Sequence, residues 1–219
     1  MKHKLVLFAA LFLIGTHVQA QKKKDKTTSS SSSSSGAKCF DEGSHILNVG
    51  IGFGGGRYYS YGGLAGYSYR VSPAFSLSYE QALKKKVGPG YLGLGAYFGY
   101  QTAHLQYDNY YYNGNKYYYR HSWNYMLISA RGAYHLDLLN AEKGELYFGA
   151  IIGIRFQTYK YESNSIDPNK KFYQLNSSSV YPSYSAFIGG RYYFAPKVAA
   201  FAEIGYGISY LTAGISFKF

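Results

Sequence analysis

A single cysteine in 219 residues leaves no material for a disulfide framework or a cysteine-based zinc site. Proline occurs five times and tryptophan once. Charged residues make up 16% of the chain, where a soluble domain carries about 25%. Beyond the first twenty residues no apolar run approaches the roughly 18 residues that a membrane helix needs. What the chain has in quantity is Gly (26), Tyr (28) and Phe (14). Residues of this kind favour strands and tight turns over helices, which points to an all-β protein.

The first twenty residues read as a secretory signal. Lys2 and Lys4 supply the positive end, Leu5 to Ile14 the apolar stretch, and Val18-Gln19-Ala20 a small-x-small cleavage site. Ten apolar residues are too few to anchor across a bilayer of about 30 Å. Residues 21–43 follow as a Lys- and Ser-rich segment expected to be a disordered periplasmic tether. Cys39 sits nineteen residues past the cleavage site and after a lysine, which is wrong for a lipid-anchored cysteine. The net charge of +12 is partly a property of these segments. Residues 40–219 carry sixteen Lys and Arg against ten Asp and Glu, a net +6, and nucleic-acid binding has little support.

From residue 44 onward apolar and small or polar residues alternate with period two. Eight strands are expected: 45–54, 75–83, 91–103, 119–136, 146–159, 183–194, 198–207 and 210–219. In the last, Leu211, Ala213, Ile215, Phe217 and Phe219 oppose Thr212, Gly214, Ser216 and Lys218. In 146–159, Phe148, Ala150, Ile152, Ile154 and Phe156 oppose Gly149, Gly153 and Arg155. Throughout, the charged residues share the face carrying Gly and Ser. A water-soluble sandwich would expose Lys, Glu and Thr on its polar face. A barrel in lipid turns its apolar side chains outward and fills its lumen with small and polar ones. Closure also satisfies every backbone N–H and C=O, as lipid requires. The expected fold is an eight-stranded antiparallel up-and-down transmembrane β-barrel over residues 44–219. The links 84–90, 137–145 and 195–197 alternate with 55–74, 108–116 and 162–178, and the second set is the longer taken together. Short periplasmic turns and long outer loops are the rule in such barrels, which places both termini in the periplasm.

The ending Ala213-Gly-Ile-Ser-Phe-Lys-Phe219 resembles the C-terminal signal read by the outer-membrane assembly machinery. Gly214, Ile215, Phe217 and Phe219 are the residues that carry the likeness. Ser72-Pro-Ala-Phe-Ser-Leu-Ser-Tyr-Glu80 and Arg191-Tyr-Tyr-Phe-Ala-Pro-Lys197 are similar to segments of the small outer-membrane β-barrel proteins common in Bacteroidota. That family is related in architecture to OmpX and the OmpA barrel domain. The resemblance implies location in the cell outer membrane, among lipid and lipopolysaccharide. It implies no catalytic motif.

Val49-Gly-Ile-Gly-Phe-Gly-Gly-Gly56 mimics a nucleotide-binding loop, but no helix start follows and the next acid is Glu80. Inward glycines on a curved strand account for it better. His121 and Ser122 are neighbours on a strand, point to opposite faces and cannot act together directly. No catalytic, cofactor or metal residues are assigned. Alternation places Glu80, Arg131, Arg155, Arg191 and Glu203 in the lumen as an ion network, with Arg191 and Glu203 on adjacent strands as a plausible direct pair. Arg155 is the charge left over, with Gln101 as an alternative partner. The segment 107–120 is the candidate surface for an extracellular ligand through Tyr110, Tyr111, Tyr112, Tyr117, Tyr118 and Tyr119, with Asn113-Gly114 as its hairpin turn. The expected protein is a monomer with a structural or surface-interaction role. A lipid-A-modifying enzyme and a narrow solute pore are the alternatives.

Overall fold

Small inward residues and apolar outward ones carry the chain through nine antiparallel strands. They are β1 (His45–Phe53), β2 (Tyr67–Val71), β3 (Ala74–Val87), β4 (Gly90–Tyr112), β5 (Asn115–Leu136), β6 (Gly144–Ser163), β7 (Ser177–Ala195), β8 (Val198–Gly205) and β9 (Leu211–Lys218). The computed structural model describes residues 39–55, 66–112, 114–136, 143–164 and 176–219. The expected signal segment and most of the expected tether lie outside the described residues.

Strands β4, β3, β1, β9, β8, β7, β6 and β5 neighbour one another in that order, and β5 pairs with β4 to close the ring. Short β2 pairs only with the far end of β4, continuing the line of β3. The two are thus one wall of the barrel, interrupted at Ser72-Pro73. Proline has no N–H to give the ladder. Ser72 covers the gap by donating its N–H to Thr102 O at 2.9 Å while its hydroxyl accepts from Thr102 N at 3.0 Å. The fold is an eight-stranded up-and-down transmembrane barrel, as the alternation predicts.

The ladder fixes the barrel's dimensions. Directly opposed residues run from Gly90 through Leu136, Leu146, Gly190, Ala202, Ala213, Ile51 and Phe75. The path returns to β4 at Tyr100, ten residues from its start. Eight strands with this stagger tilt by about 40° and enclose a backbone cylinder of about 8 Å radius, room for side chains alone. Glycine makes that curvature available. A Cβ on Gly95 would stand 1.7 Å from Tyr79 O, and one on Gly214 2.0 Å from Val49 O.

The expected boundaries shift in several places. The link 55–74 contains β2, β3 runs on to Val87 in the expected link 84–90, β6 begins at Gly144 inside the expected link 137–145, β7 begins at Ser177 inside the expected link 162–178, and β4 and β5 pair as far as Tyr112 and Asn115. Of the expected turn Asn113-Gly114, Gly114 takes the left-handed conformation at φ 76°, and Asn113 lies outside the described residues.

The outward band has a definite edge. Tyr100, Met126, Phe156 and Val180 stand opposite one another on β4 to β7, and the next outward row is Thr102, Asn124, Thr158 and Ser178. Above it come His104, Ser122 and Lys160, then Gln106, Arg120 and Glu162. On β6 the apolar band runs from Leu146 to Phe156, which at this tilt spans about 25 Å, the height expected of a lipid-facing girdle.

Candidate functional site

Seven of the eight walls send a polar side chain to one cluster in the lower lumen, near the end that carries both described termini. Arg131 on β5 donates from Nε to Glu80 Oε1 on β3 at 2.7 Å and from Nη2 to Glu203 Oε1 on β8 at 2.6 Å. Tyr147 on β6 donates its hydroxyl to the same Glu203 oxygen at 2.9 Å. Arg191 on β7 donates from Nη1 to both oxygens of Glu145, at 3.0 and 3.2 Å. Its other nitrogens reach Ser216 Oγ on β9 at 3.0 Å and Asn48 Oδ1 on β1 at 3.3 Å. His135 joins the two halves, with Nε2 3.0 Å from Glu80 Oε2 and Nδ1 on Glu145 Oε1. Both ring nitrogens face carboxylates, so both must donate and the ring is an imidazolium.

The charges then balance: Arg131, Arg191 and His135 against Glu80, Glu145 and Glu203. On β4 the position facing the cluster is small. It is Gly93, where a Cβ would lie 3.1 Å from His135 Nε2 and 3.3 Å from Glu80 Oε2. Aromatic faces complete the enclosure, with the Arg131 guanidinium 3.9 Å from the Phe187 centroid and that of Arg191 4.9 Å from Tyr147.

Two expectations need correction. Arg191 pairs with Glu145 rather than Glu203. Glu145 stands directly opposite Arg191, whereas Glu203 stands opposite Gly189, where Arg131 and Tyr147 reach it. Arg155 is outside the network. It lies opposite Leu127 and Tyr181, well above the cluster, half-buried and with no ion pair among the described residues. Gln101, its alternative partner, donates instead to the carbonyls of Gly54 and Ser72. Glu145 escapes the sequence reading because it falls in an expected turn. His135 lies in the expected strand 119–136, where alternation puts it on the same face as Arg131 without indicating its partners. The pairing of Glu145 with Arg191 was recoverable only from strand register.

The lumen is closed on both sides of this cluster. At the terminal end Phe40 lies flat on His135, ring centroids 3.6 Å apart, and Tyr193 donates its hydroxyl to Cys39 O at 3.0 Å. Cys39 and Phe40 are both buried, so the last part of the expected tether packs into the barrel mouth. On the other side the β8–β9 turn folds inward. Ile208 packs with Ala74, Leu127 and Ile151, flanked by Tyr97 and Phe187. The space left between this apolar layer and the ion cluster is about 30 Å³, room for about one water.

The proposed assembly residues lie at the seam. Ile215, Phe217 and Phe219 face outward and are exposed. Phe219 and His45 exchange backbone hydrogen bonds at 3.0 and 3.3 Å, and the two rings lie 6.0 Å apart. Gly214 has a structural role of its own through its close approach to β1.

Beyond the band edge polarity reverses. On the inner face Tyr67, Tyr107, Tyr119, His121, Tyr159 and Tyr161, with Leu105, line a cavity of about 410 Å³. Trp123 borders it, its ring centroid 5.6 Å from Tyr159 and 6.0 Å from His121. His121 Nδ1 and the Tyr159 hydroxyl are 2.6 Å apart. Burial holds the imidazole below its ordinary pKa and pushes the Tyr159 phenol above its own, so both are neutral near pH 7. The charged residues Arg70, Asp108, Arg120, Lys160 and Glu162 stand on the opposite face or its edge. There Arg120 Nε donates to Gln106 Oε1 at 2.7 Å, and Lys160 pairs with Glu162, lowering that carboxyl's pKa.

The candidate ligand tyrosines divide between these faces. Tyr117 and Tyr119 are inward, while Tyr111 is outward beside Lys116 and Tyr118 outward beside Arg120. The side chains of Tyr110 and Tyr112 lie outside the described residues. His121 and Ser122 point to opposite faces, as strand geometry requires. Ser122 instead meets His104 directly across the ladder, Oγ to Nδ1 at 3.0 Å, a contact that sequence adjacency does not show.

No family model matches the chain, and no curated protein matches it. Among solved structures the chain is similar to Ail, the attachment invasion locus protein of Yersinia pestis. Two structures of that protein match, one without a ligand and one in complex with the heparin analogue sucrose octasulfate. In both cases 13% of aligned residues are identical, over 81% of this chain and 95% of that one, with TM-scores of 0.37 alone and 0.39 in the complex.

Proposed function

We propose that the protein is a monomeric outer-membrane barrel with periplasmic termini, a sealed lumen and a surface-interaction role carried by its extended rim. The observation that carries this reading is the reversal of polarity at Thr102, Asn124, Thr158 and Ser178. Below that row the outer face suits lipid. Above it the strands continue with a polar outer face and an aromatic inner one. A lipid-buried wall has no use for Lys160, Arg120 or Glu162 on its outside. Strands prolonged into water as far as Tyr112 have no use in spanning a membrane.

The short turn at 195–197 and the termini share one end, and the extended rim occupies the other, which supports periplasmic termini and a rim outside the cell. The exposed Phe217 and Phe219 at the seam suit recognition by the assembly machinery. An epitope inserted at Gly114 tests the orientation. It should be stained by antibody on intact cells. Staining only after permeabilisation would overturn the reading.

The contact between His104 and Ser122 favours a second reading, a hydrolase acting on lipid A or a phospholipid. The pair faces outward two rows above the apolar band, where ester groups and phosphates lie. No carboxylate hydrogen-bonds the His104 ring among the described residues, so the arrangement lacks an orienting acid. Loss of acyl release from lipopolysaccharide in Ser122→Ala would establish the enzyme. Equal lipid A profiles with and without the protein would exclude it.

A further inference from the structure

We infer that the aromatic cavity on the inner face of the rim is a binding site for a neutral saccharide. The inference rests on the rim being the interaction surface and names the ligand class for it. Three observations converge. The lining is aromatic on several sides: Tyr67 and Tyr107 lie 4.6 Å apart on one wall, and His121 lies 5.1 Å from Tyr161 and 5.9 Å from Tyr159 on the other. Ring faces carry negative potential and attract the polarised C–H groups of a pyranose. Hydrogen-bonding capacity remains unspent. The hydroxyls of Tyr67 and Tyr107 and the Nε2 of His121 have no hydrogen-bond partner among the described residues. Sugar hydroxyls, which both donate and accept, match such a set.

The third observation is charge. None of the residues lining the cavity is charged, and burial keeps His121 neutral. Among the described residues the cations of the rim, Arg70, Lys116, Arg120 and Lys160, stand on the other face, where Arg120 and Lys160 already have partners. A sulfated or phosphorylated glycan would gain nothing inside the cavity and would lose hydration. The volume of about 410 Å³ falls within the range of small-ligand pockets and admits about two sugar rings.

Trp123 is the only tryptophan in the chain and stacks on two lining residues, so its emission reports occupancy. The test uses full-length protein folded in lauryldimethylamine oxide, whose head group carries no sugar, with folding verified by gel mobility before and after boiling. Maltotriose, tri-N-acetylchitotriose, mannotriose and a heparin hexasaccharide are titrated against Trp123 fluorescence. At least one neutral trisaccharide should give a saturable change that is the same in 50 and 500 mM NaCl. Tyr107→Ala and His121→Phe should each weaken it at least tenfold, while Arg70→Ala leaves it unchanged. The histidine variant keeps a ring to support the fold and removes only the hydrogen bond. The inference is overturned if no neutral trisaccharide binds, if only the heparin fragment binds and salt abolishes it, or if neither cavity variant weakens binding. Should Gly114 be displayed on cells while no neutral sugar binds, only the saccharide assignment falls.

Discussion

Arg131 holds two buried carboxylates from strands on different sides of the lumen, so its removal leaves Glu80 and Glu203 without their shared cation. Breaking a buried pair of this kind costs about 3–5 kcal/mol. Arg131→Ala should therefore lower the denaturant midpoint of the folded protein substantially. Arg155→Ala should change it by less than about 0.5 kcal/mol, the usual range for a side chain with no special partner. Equal effects from the two variants would mean that the lumen charges are solvated separately. The alternation in the sequence is enough to send both arginines inward. It does not distinguish them, because partner choice depends on strand register, which brings Glu80 and Glu203 within reach of Arg131 and sets Arg155 opposite Leu127 and Tyr181. Glycine at 214 is a second residue-scale case. A methyl group there meets a backbone carbonyl that cannot rotate away, so Gly214→Ala should lower stability even with Phe219 intact, measured by the same unfolding curve.

At the scale of the strand, the account turns on where the lipid band stops. Ile152 lies in the middle of the apolar run of β6, and Thr158 lies in the first polar row above it. An arginine at the bilayer midplane of a barrel costs about 2–4 kcal/mol, falling to about 0–1 near the interface. Ile152→Arg should show the larger cost and Thr158→Arg the smaller, measured as unfolding free energy in lipid vesicles. Similar costs at both positions would place the membrane boundary elsewhere. The sequence reading found the apolar run of β6 because period two is strongest where one face meets lipid. It treated 55–74 as loop because β2 is five residues long and follows a Gly- and Tyr-rich stretch without clear alternation. Pro73 also reads locally as a terminator. Phe219 belongs to this scale as well. Its deletion should reduce the amount of protein in the outer membrane, measured by immunoblot of membrane fractions. Undiminished abundance with full protease protection would remove its role in assembly.

For the whole molecule, three layers bear on one question, whether anything passes through. Phe40 and Cys39 close one mouth, the balanced ion cluster ties seven walls together, and Ile208 with its neighbours fills the section beyond. A closed ladder of this kind also resists detergent until boiled, so unboiled and boiled samples should differ in gel mobility. The sequence made the polar filling of the lumen legible through residues such as Glu80 and Arg131. It did not make the closure legible. Ile208 reads as part of a turn and Phe40 as part of a tether, and their burial follows from tertiary packing.

The most direct test of a sealed barrel that works at its rim is electrical recording of the folded protein in planar lipid bilayers. The account predicts no steady conductance under an applied potential, because every described layer of the lumen is filled by side chains. Large, steady, reproducible channels from protein shown by gel mobility to be folded would contradict it.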